Sequence, residues 1–359
     1  CILGVAVRAH PQYPLIIVDN RDEYYTRPTK DAEIEESTGI LCGRDMSAGG
    51  TWCGLHTKTG DFSVLTNVFE PNRKPSVAHP ISRGRLVETF INGEYERDVD
   101  KSILPDWESY MGFNLVFGNL YRFAREQQKI NAGEKNAHQP SIYYLSNRSS
   151  SSPSTHQEPK VQRLSQGVHV VSNSYMDDTS WPKVKFLKQE MEKILTQTNK
   201  TFTPREMRDH MARLLTSRPL LPESQVPQYI KEEIKTFCQS KMEGYHSSIT
   251  SINSGITIQL EEFDQMIMQS CCNIFIDYCK KFKTKSQVVM LVDNNGDVYF
   301  YYRNTDELIV PEPLLPNEAS GVHGAQGRRS MDFACGGWKE YKIGITTHYK
   351  KRTSFEYHH

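Results

Sequence analysis

The chain has 359 residues, and 43 Lys and Arg balance 43 Asp and Glu, so its formal net charge is zero. That balance argues against a nucleic-acid footprint or an acidic partner, and no apolar run approaches the roughly 20 residues that cross a bilayer. The length permits one large domain or two smaller ones and can bury a core without disulfides, so the eight cysteines read as reduced thiols of an intracellular protein.

The opening segment, CILGVAVRAHPQYP, has a short apolar run but neither a basic leader nor a small-residue cleavage site. A soluble, cytoplasmic protein is expected rather than a secreted one. Ile2–Arg8 and Leu15–Asn20 are apolar, β-branched runs joined by a proline-bearing loop, which is a hairpin signature. The second run exits into Asn20, Arg21, Asp22 and Glu23, a polar cluster that is costly at a strand end unless its charges are paired. A second hairpin is expected from Thr51 through a turn near Thr59–Asp61 into Phe62–Asn67. Further strands are expected at Phe113–Phe117, Ser141–Leu145 and Val168–Ser172.

Two helices follow from apolar spacing. PKVKFLKQEMEKILTQ aligns Val184, Leu187, Met191, Ile194 and Leu195 on one stripe. TPREMRDHMARLL opens with Thr203 as N-cap, Pro204 at the first helical position and Glu206 closing a capping box. Two more helices are expected at Gln228–Ser240 and Glu262–Lys280, the latter carrying Cys271, Cys272 and Cys279 as buried small hydrophobes rather than metal ligands. QVVMLVDNNGDVYFYYR is the clearest hairpin, with Asn295–Gly296 at its turn. Arg125–His138 and Asn147–Pro159 are polar and read as insertions, the second as disordered, and the Gly-rich residues 317–338 read as a mobile loop. The pattern is α+β, antiparallel hairpins covered by amphipathic helices.

The first hairpin bears on chemistry. If Arg8 opposes Leu15, antiparallel pairing puts Cys1 opposite Asp22, within a slip of two residues. An α-amino group titrates near ~7.7–8.0 and a thiol near ~8.5, so the amine of residue 1 can take the proton of its own thiol with no histidine. Arg21 nearby would favour the thiolate, and Asp22, pinned by Arg21, would orient the amine. Attack on an amide or thioester builds an oxyanion, which calls for preorganised neutral donors; Asn67 and Asn173 both stand at strand exits. Each feature also has a plain structural reading. Cys1 can be a residue exposed by removal of an initiator Met, Arg21–Asp22 a strand-end ion pair, and the asparagines ordinary turn residues. His10 and His79 read as loop residues and His169 as a packed one. The case for a site rests on convergence.

The blocks DNRDEYYTRP, CILGVAVRAHP, GGTWCGL, LTN, SRGRLV, YMGFNLVFGNL, VSNSYMDDTSWPK and VVMLVDNNGDVYF occur in this order over residues 1–300. Together they resemble the NRDE family. The resemblance implies an N-terminal-nucleophile hydrolase fold, a four-layer αββα sandwich with antiparallel sheets and residue 1 at the end of a central strand. It implies one domain over residues 1–359, with insertions near 125–138, 147–159, 253–285 and 312–340. The cysteine acylases of that superfamily carry over to Cys1 as nucleophile and base, Asp22 as amine partner, and Asn67 and Asn173 as oxyanion and substrate contacts. Asn20, Arg21, Glu23, Trp52 and Tyr245 are the expected ligand-binding residues. Where the family pattern carries an arginine after Tyr245, this chain has Ser248. No metal is implied.

Three functions follow as expectations. One is a cysteine N-terminal-nucleophile amidohydrolase or thioesterase acting on an acyl ligand. Another is a carrier without turnover, holding acyl-CoA lipids or haem in the cytoplasm or at mitochondria. The third is a retained fold acting through protein contacts in secretory traffic, with Golgi association. No nucleic-acid or transmembrane role is expected.

Overall fold

Period-two alternation of side chains assigns each strand a face, and the two faces of the first hairpin organise the molecule. The computed structural model describes residues 1–70, 81–93, 107–134, 141–148, 159–197, 200–218, 223–226, 228–243, 248–250, 257–259, 270–278, 282–306 and 337–344. One sheet runs, in spatial order, β10 (Gly167–Val171), β1 (Ile2–Val7), β2 (Leu15–Tyr24), β14 (Phe282–Val292), β15 (Val298–Asn304) and β16 (Lys339–Ile343). Every neighbouring pair is antiparallel, and the two-residue β13 (Asp277–Tyr278) pairs with the start of β14. The other sheet is an antiparallel meander of β3 (Thr29–Ile34), β4 (Ile40–Asp45), β5 (Cys53–His56), β6 (Asp61–Asn67), β7 (Phe113–Asn119), β8 (Ile142–Ser146) and β9 (Lys160–Arg163). A separate ribbon pairs β11 (Ser248–Thr250) with β12 (Thr257–Gln259).

Leu3, Val5, Leu15 and Ile17 face the second sheet and pack with Leu55, Val64 and Val116. Their neighbours Ile2, Ala6, Ile16 and Val18 face the opposite way. They pack under α3 (Pro182–Leu195), α4 (Pro204–Leu215) and α5 (Gln228–Glu243) through Val184, Leu187, Met191, Met207, Met211 and Ile230. On the far side of the second sheet, α1 (Gly84–Ile91) sets Leu86, Val87, Phe90 and Ile91 against Phe113, Leu115 and Phe117. The order of layers is helix, sheet, sheet, helix, the expected α+β sandwich. A helix of eight residues is marginal alone; burying four apolar side chains at about 1.5–3 kcal/mol each is what holds α1. The remaining helix, α2 (Leu120–Asn131), sends Leu120, Phe123 and Ala124 into the inter-sheet core. No described helix is long and apolar enough to cross a membrane.

The first hairpin pairs Val7 with Leu15 and Ile2 with Asn20, one residue away from the expected register. Arg8 is the cause. Its φ of 48° takes it out of the strand, and its N–H donates to the Pro14 carbonyl at 2.6 Å, so it belongs to the loop. Continued by one step, this register sets Cys1 opposite Arg21.

Parts of the segments expected to be insertions carry structure. Residues 125–131 are the second half of α2. Asn147 and Arg148 are buried: the Asn147 side chain accepts from the Phe113 N–H at 3.0 Å, and Arg148 pairs with Glu70. The helix expected over Glu262–Lys280 is helical in its described part only at residues 270–272. It then gives way to β13, although Cys271 and Cys272 are buried as expected. Phe282–Lys285 extend β14 against β2, and Lys339–Ile343 form the edge strand β16. His79, Tyr245, Cys279, Cys335 and the rest of the Gly-rich stretch up to residue 336 lie outside the described residues.

Candidate functional site

Beyond Ile2, the longer strand β2 continues past the end of β1, and a cleft of about 470 Å³ opens there between the two sheets. Its walls include Cys1, Arg21, Asp22, Glu23, Trp52, Asn67, Arg83 and Asn173. Seven of the nine residues expected from the sequence therefore meet in one place.

The amine of Cys1 donates to Asp22 Oδ2 at 2.5 Å. The Asp22 backbone N–H donates to Cys1 Sγ at 3.4 Å, a contact that favours negative charge on sulfur. Desolvation lowers the pKa of the amine below its ordinary 8.0; Asp22 opposes that shift and Lys183 adds to it. An amine so placed reaches its neutral, basic form more readily than one in water. The other thiols among the described side chains, Cys42, Cys53, Cys271 and Cys272, are all buried. Burial raises the pKa of Cys42 to about 11 and of Cys271 to about 12. Cys1 is the accessible one among them.

Asp22 is held by Thr284, whose Oγ1 donates to Oδ1 at 2.7 Å. Arg21 does not pin it, contrary to expectation, because adjacent strand residues point to opposite faces. Asp22 faces the helical layer. Arg21 faces the second sheet, where its guanidinium stacks on Trp52 at 4.3 Å, donates to Thr29 Oγ1 at 3.0 Å and lies 3.7 Å from both Glu23 and Asp45. Asn20 shares the Asp22 face and is kept from the cleft. It is fully buried, donates to the carbonyls of Leu215 and Ile274 at 2.8 and 2.9 Å, and accepts from Gln287 at 2.9 Å. It is a structural strut between β2, β14 and the end of α4. Tyr245 lies outside the described residues.

Asn173 follows β10 and is oriented by a residue absent from the expected set. Lys183, fully buried near the start of α3, donates to Asn173 Oδ1 at 3.1 Å and to the Cys1 carbonyl at 3.2 Å. Lysine has donors only, so the Asn173 atom facing it is the oxygen. The amide nitrogen therefore faces the other way, donating to the Asn67 carbonyl at 2.9 Å with a second proton left over. Ser172 Oγ donates to the Cys1 carbonyl at 2.6 Å. Asn67 itself closes β6 and lines the cleft. Burial lowers the pKa of Lys183, while Asp22 opposes the shift.

Lys183 had a readable signal. It falls four residues before Leu187 and eight before Met191, on the apolar stripe of α3, where a lysine has to be buried. Asp19 is a second residue missed. It shares the Cys1 and Arg21 face, both carboxylate oxygens are buried without a hydrogen-bond partner, and desolvation raises its pKa to about 8. Arg83 had only its place in the SRGRLV block, and Thr284 carried no comparable signal.

A family model described as Transport and Golgi organisation 2 matches residues 1–307. The chain is 26% identical over 297 residues to the Transport and Golgi organization 2 homolog of Mus musculus, covering 81% of this chain and 87% of that protein. It is 27% identical over 298 residues to the Bos taurus homolog, with the same coverage of 81% and 87%. It is 27% identical over 129 residues to Transport and Golgi organization protein 2 of Drosophila melanogaster, covering 32% of this chain and 44% of that protein. The chain belongs to the Transport and Golgi organisation 2 family, the NRDE family of the motif at Asn20, Arg21, Asp22 and Glu23.

Proposed function

We propose that this member of the Transport and Golgi organisation 2 family is a cysteine N-terminal-nucleophile hydrolase of an acyl amide or thioester. The observation that carries the reading is the 2.5 Å contact between the Cys1 amine and Asp22, with the thiol of the same residue open to the cleft. In this reading residue 1 is the free terminus of the working protein.

Acyl transfer then runs in two halves. The neutral amine accepts the thiol proton, and Sγ bonds to the acyl carbonyl carbon while the carbonyl electron pair moves to oxygen. The free proton of the Asn173 amide, together with the Asn67 carboxamide, donates to that oxyanion. As the carbonyl re-forms, the bond to the leaving nitrogen or sulfur breaks and the ammonium returns its proton to the leaving group. Water then attacks the acyl-Cys1 thioester, the amine again taking a proton, and the carboxylic acid and free thiol are released. Asp22 keeps the amine aligned and stabilises its charged form in each half.

A carrier that holds an acyl compound without turnover would use the same cleft and differ only at the thiol. The name shared by the relatives refers to transport and Golgi organisation, and a role in intracellular traffic is compatible with either form of chemistry. Hydrolysis of acyl amides and acyl thioesters by the full chain and by Cys1→Ala decides between them. The enzyme reading expects turnover that Cys1→Ala abolishes, with binding retained. Binding without turnover in the wild-type chain would leave the carrier.

A further inference from the structure

Four cationic groups line the cleft, the Cys1 amine, Arg21, Arg27 and Arg83, against three carboxylates, Asp22, Glu23 and Asp45. Asp22 takes the amine. Asp45 takes Arg27 at 2.8 Å, and Asp45 and Glu23 both flank Arg21 at 3.7 Å. Arg83 is the charge left over. Its Nη1 donates to the Gly112 carbonyl at 3.1 Å, and among the described residues no carboxylate forms an ion pair with it. Glu70, the acidic group whose field reaches Arg83 most strongly, is already engaged by Arg148 and by the Gly112 N–H at 2.8 Å.

A guanidinium anchored on one side by a carbonyl keeps its other N–H donors for a ligand, and their fork matches a carboxylate. Its position is fixed by backbone packing. Gly50 and Gly84 lie so close that a Cβ on Gly50 would stand 2.8 Å from the Gly84 backbone, which locks the start of α1 against the loop after β4. Desolvation in the cleft wall lowers the pKa of Arg83 to about 10, still far above neutral pH, so it is a cation in search of a partner.

We infer that Arg83 is the anion subsite of this cleft and that the ligand carries one negative charge, a carboxylate, apart from the carbonyl presented to Cys1. The inference rests on the acyl-transfer reading only in taking the ligand to be an acyl compound. The charge preference belongs to the cleft and is read by binding alone.

Calorimetric titration of the full chain carrying Cys1→Ala, with hexanoylglycine and with its neutral counterpart hexanoylglycinamide, tests it, because neither acyl amide can be turned over there and only binding is read. The carboxylate is expected to bind about tenfold more tightly. Arg83→Gln should bring the two affinities together by weakening only the carboxylate, and Arg83→Lys, which keeps the charge, should retain part of the preference. Equal affinities in the chain that keeps Arg83, a preference that survives Arg83→Gln, or no binding of either compound overturns the inference. Hexyl phosphate is the third arm, and tighter binding of that dianion than of hexanoylglycine also counts against a site built for one charge. Failure of Cys1 chemistry with the carboxylate preference intact would defeat the hydrolase reading and leave the subsite standing.

Discussion

The Lys183 ammonium and the Asn173 carboxamide oxygen are 3.1 Å apart, and this hydrogen bond, together with those of Ser172 Oγ to the same oxygen and of the amide nitrogen to the Asn67 carbonyl, sets how the amide is turned. A donor-only partner on the oxygen leaves the nitrogen as the group presented to a reacting carbonyl. Removing it with Asn173→Ala should lower kcat by about 10²–10³-fold, the usual loss of an oxyanion donor, with a smaller change in KM. Steady-state kinetics on an acyl amide checks the split; a change in KM alone would mean that Asn173 only binds substrate.

The pH dependence has a definite sign. The terminal amine has its pKa lowered from 8.0 by desolvation and by Lys183, against the pull of Asp22. It acts as a base when neutral, so kcat/KM should rise with pH through an inflection below 8.0. Lys183→Met deletes a neighbouring positive charge that disfavours the ammonium, and the inflection should move upward. A pH–rate profile of both chains tests this, and an unmoved inflection would assign the titration to some other group.

Asp19 makes a prediction about stability. Its pKa of about 8 in the folded chain is far above the ordinary carboxylate value. Between the two values the folded chain holds a proton that the unfolded chain has released, so this group's contribution to stability falls as pH rises. Asp19→Asn removes that slope. Denaturant unfolding at pH 5 and pH 8 should show the variant gaining on the wild-type chain at the higher pH. Parallel behaviour at both would mean that Asp19 is ionised or solvated in the folded state.

Gly50 tests the seat of α1. A methyl group there meets the backbone of Gly84 at 2.8 Å, and neither segment is a flexible side-chain tip. Gly50→Ala should cost about 1–3 kcal/mol, as overpacking does, and should displace Arg83 with the helix start. Thermal unfolding measures the first effect and hexanoylglycine affinity the second.

The parts of this molecule that were legible in the sequence are those set by local rules. The capping box at Thr203 and Glu206 forms as spelled, because both partners lie within one turn. The first hairpin brings Cys1 to Asp22 because its two strands are joined by a short loop. The one-residue error in register came from Arg8, whose left-handed backbone no propensity announces. That error set Cys1 opposite Asp22 rather than Arg21; the expected pinning of Asp22 by Arg21 failed for a separate reason, the opposite facing of neighbours on one strand. Asn20 looked like a ligand residue for the same reason as Asp22, a polar group at a strand exit. Its partners, Leu215, Ile274 and Gln287, are nearly 200 or more positions away. Thr284 meets Asp22 from equally far along the chain, and Arg83 is placed by the packing of Gly84 on Gly50, neither of which apolar spacing encodes.

The central claim is that residue 1 is a free-terminus nucleophile in an open cleft. Intact-mass and peptide-level mass spectrometry of the full chain, treated with a limiting amount of a bromoacetamide, reads it directly. The account predicts an unblocked Cys1 at the terminus and a single adduct that maps to Cys1 and is lost in Cys1→Ala. A terminus that is extended or blocked at Cys1, or alkylation of the folded chain at the other cysteines with Cys1 untouched, would contradict it.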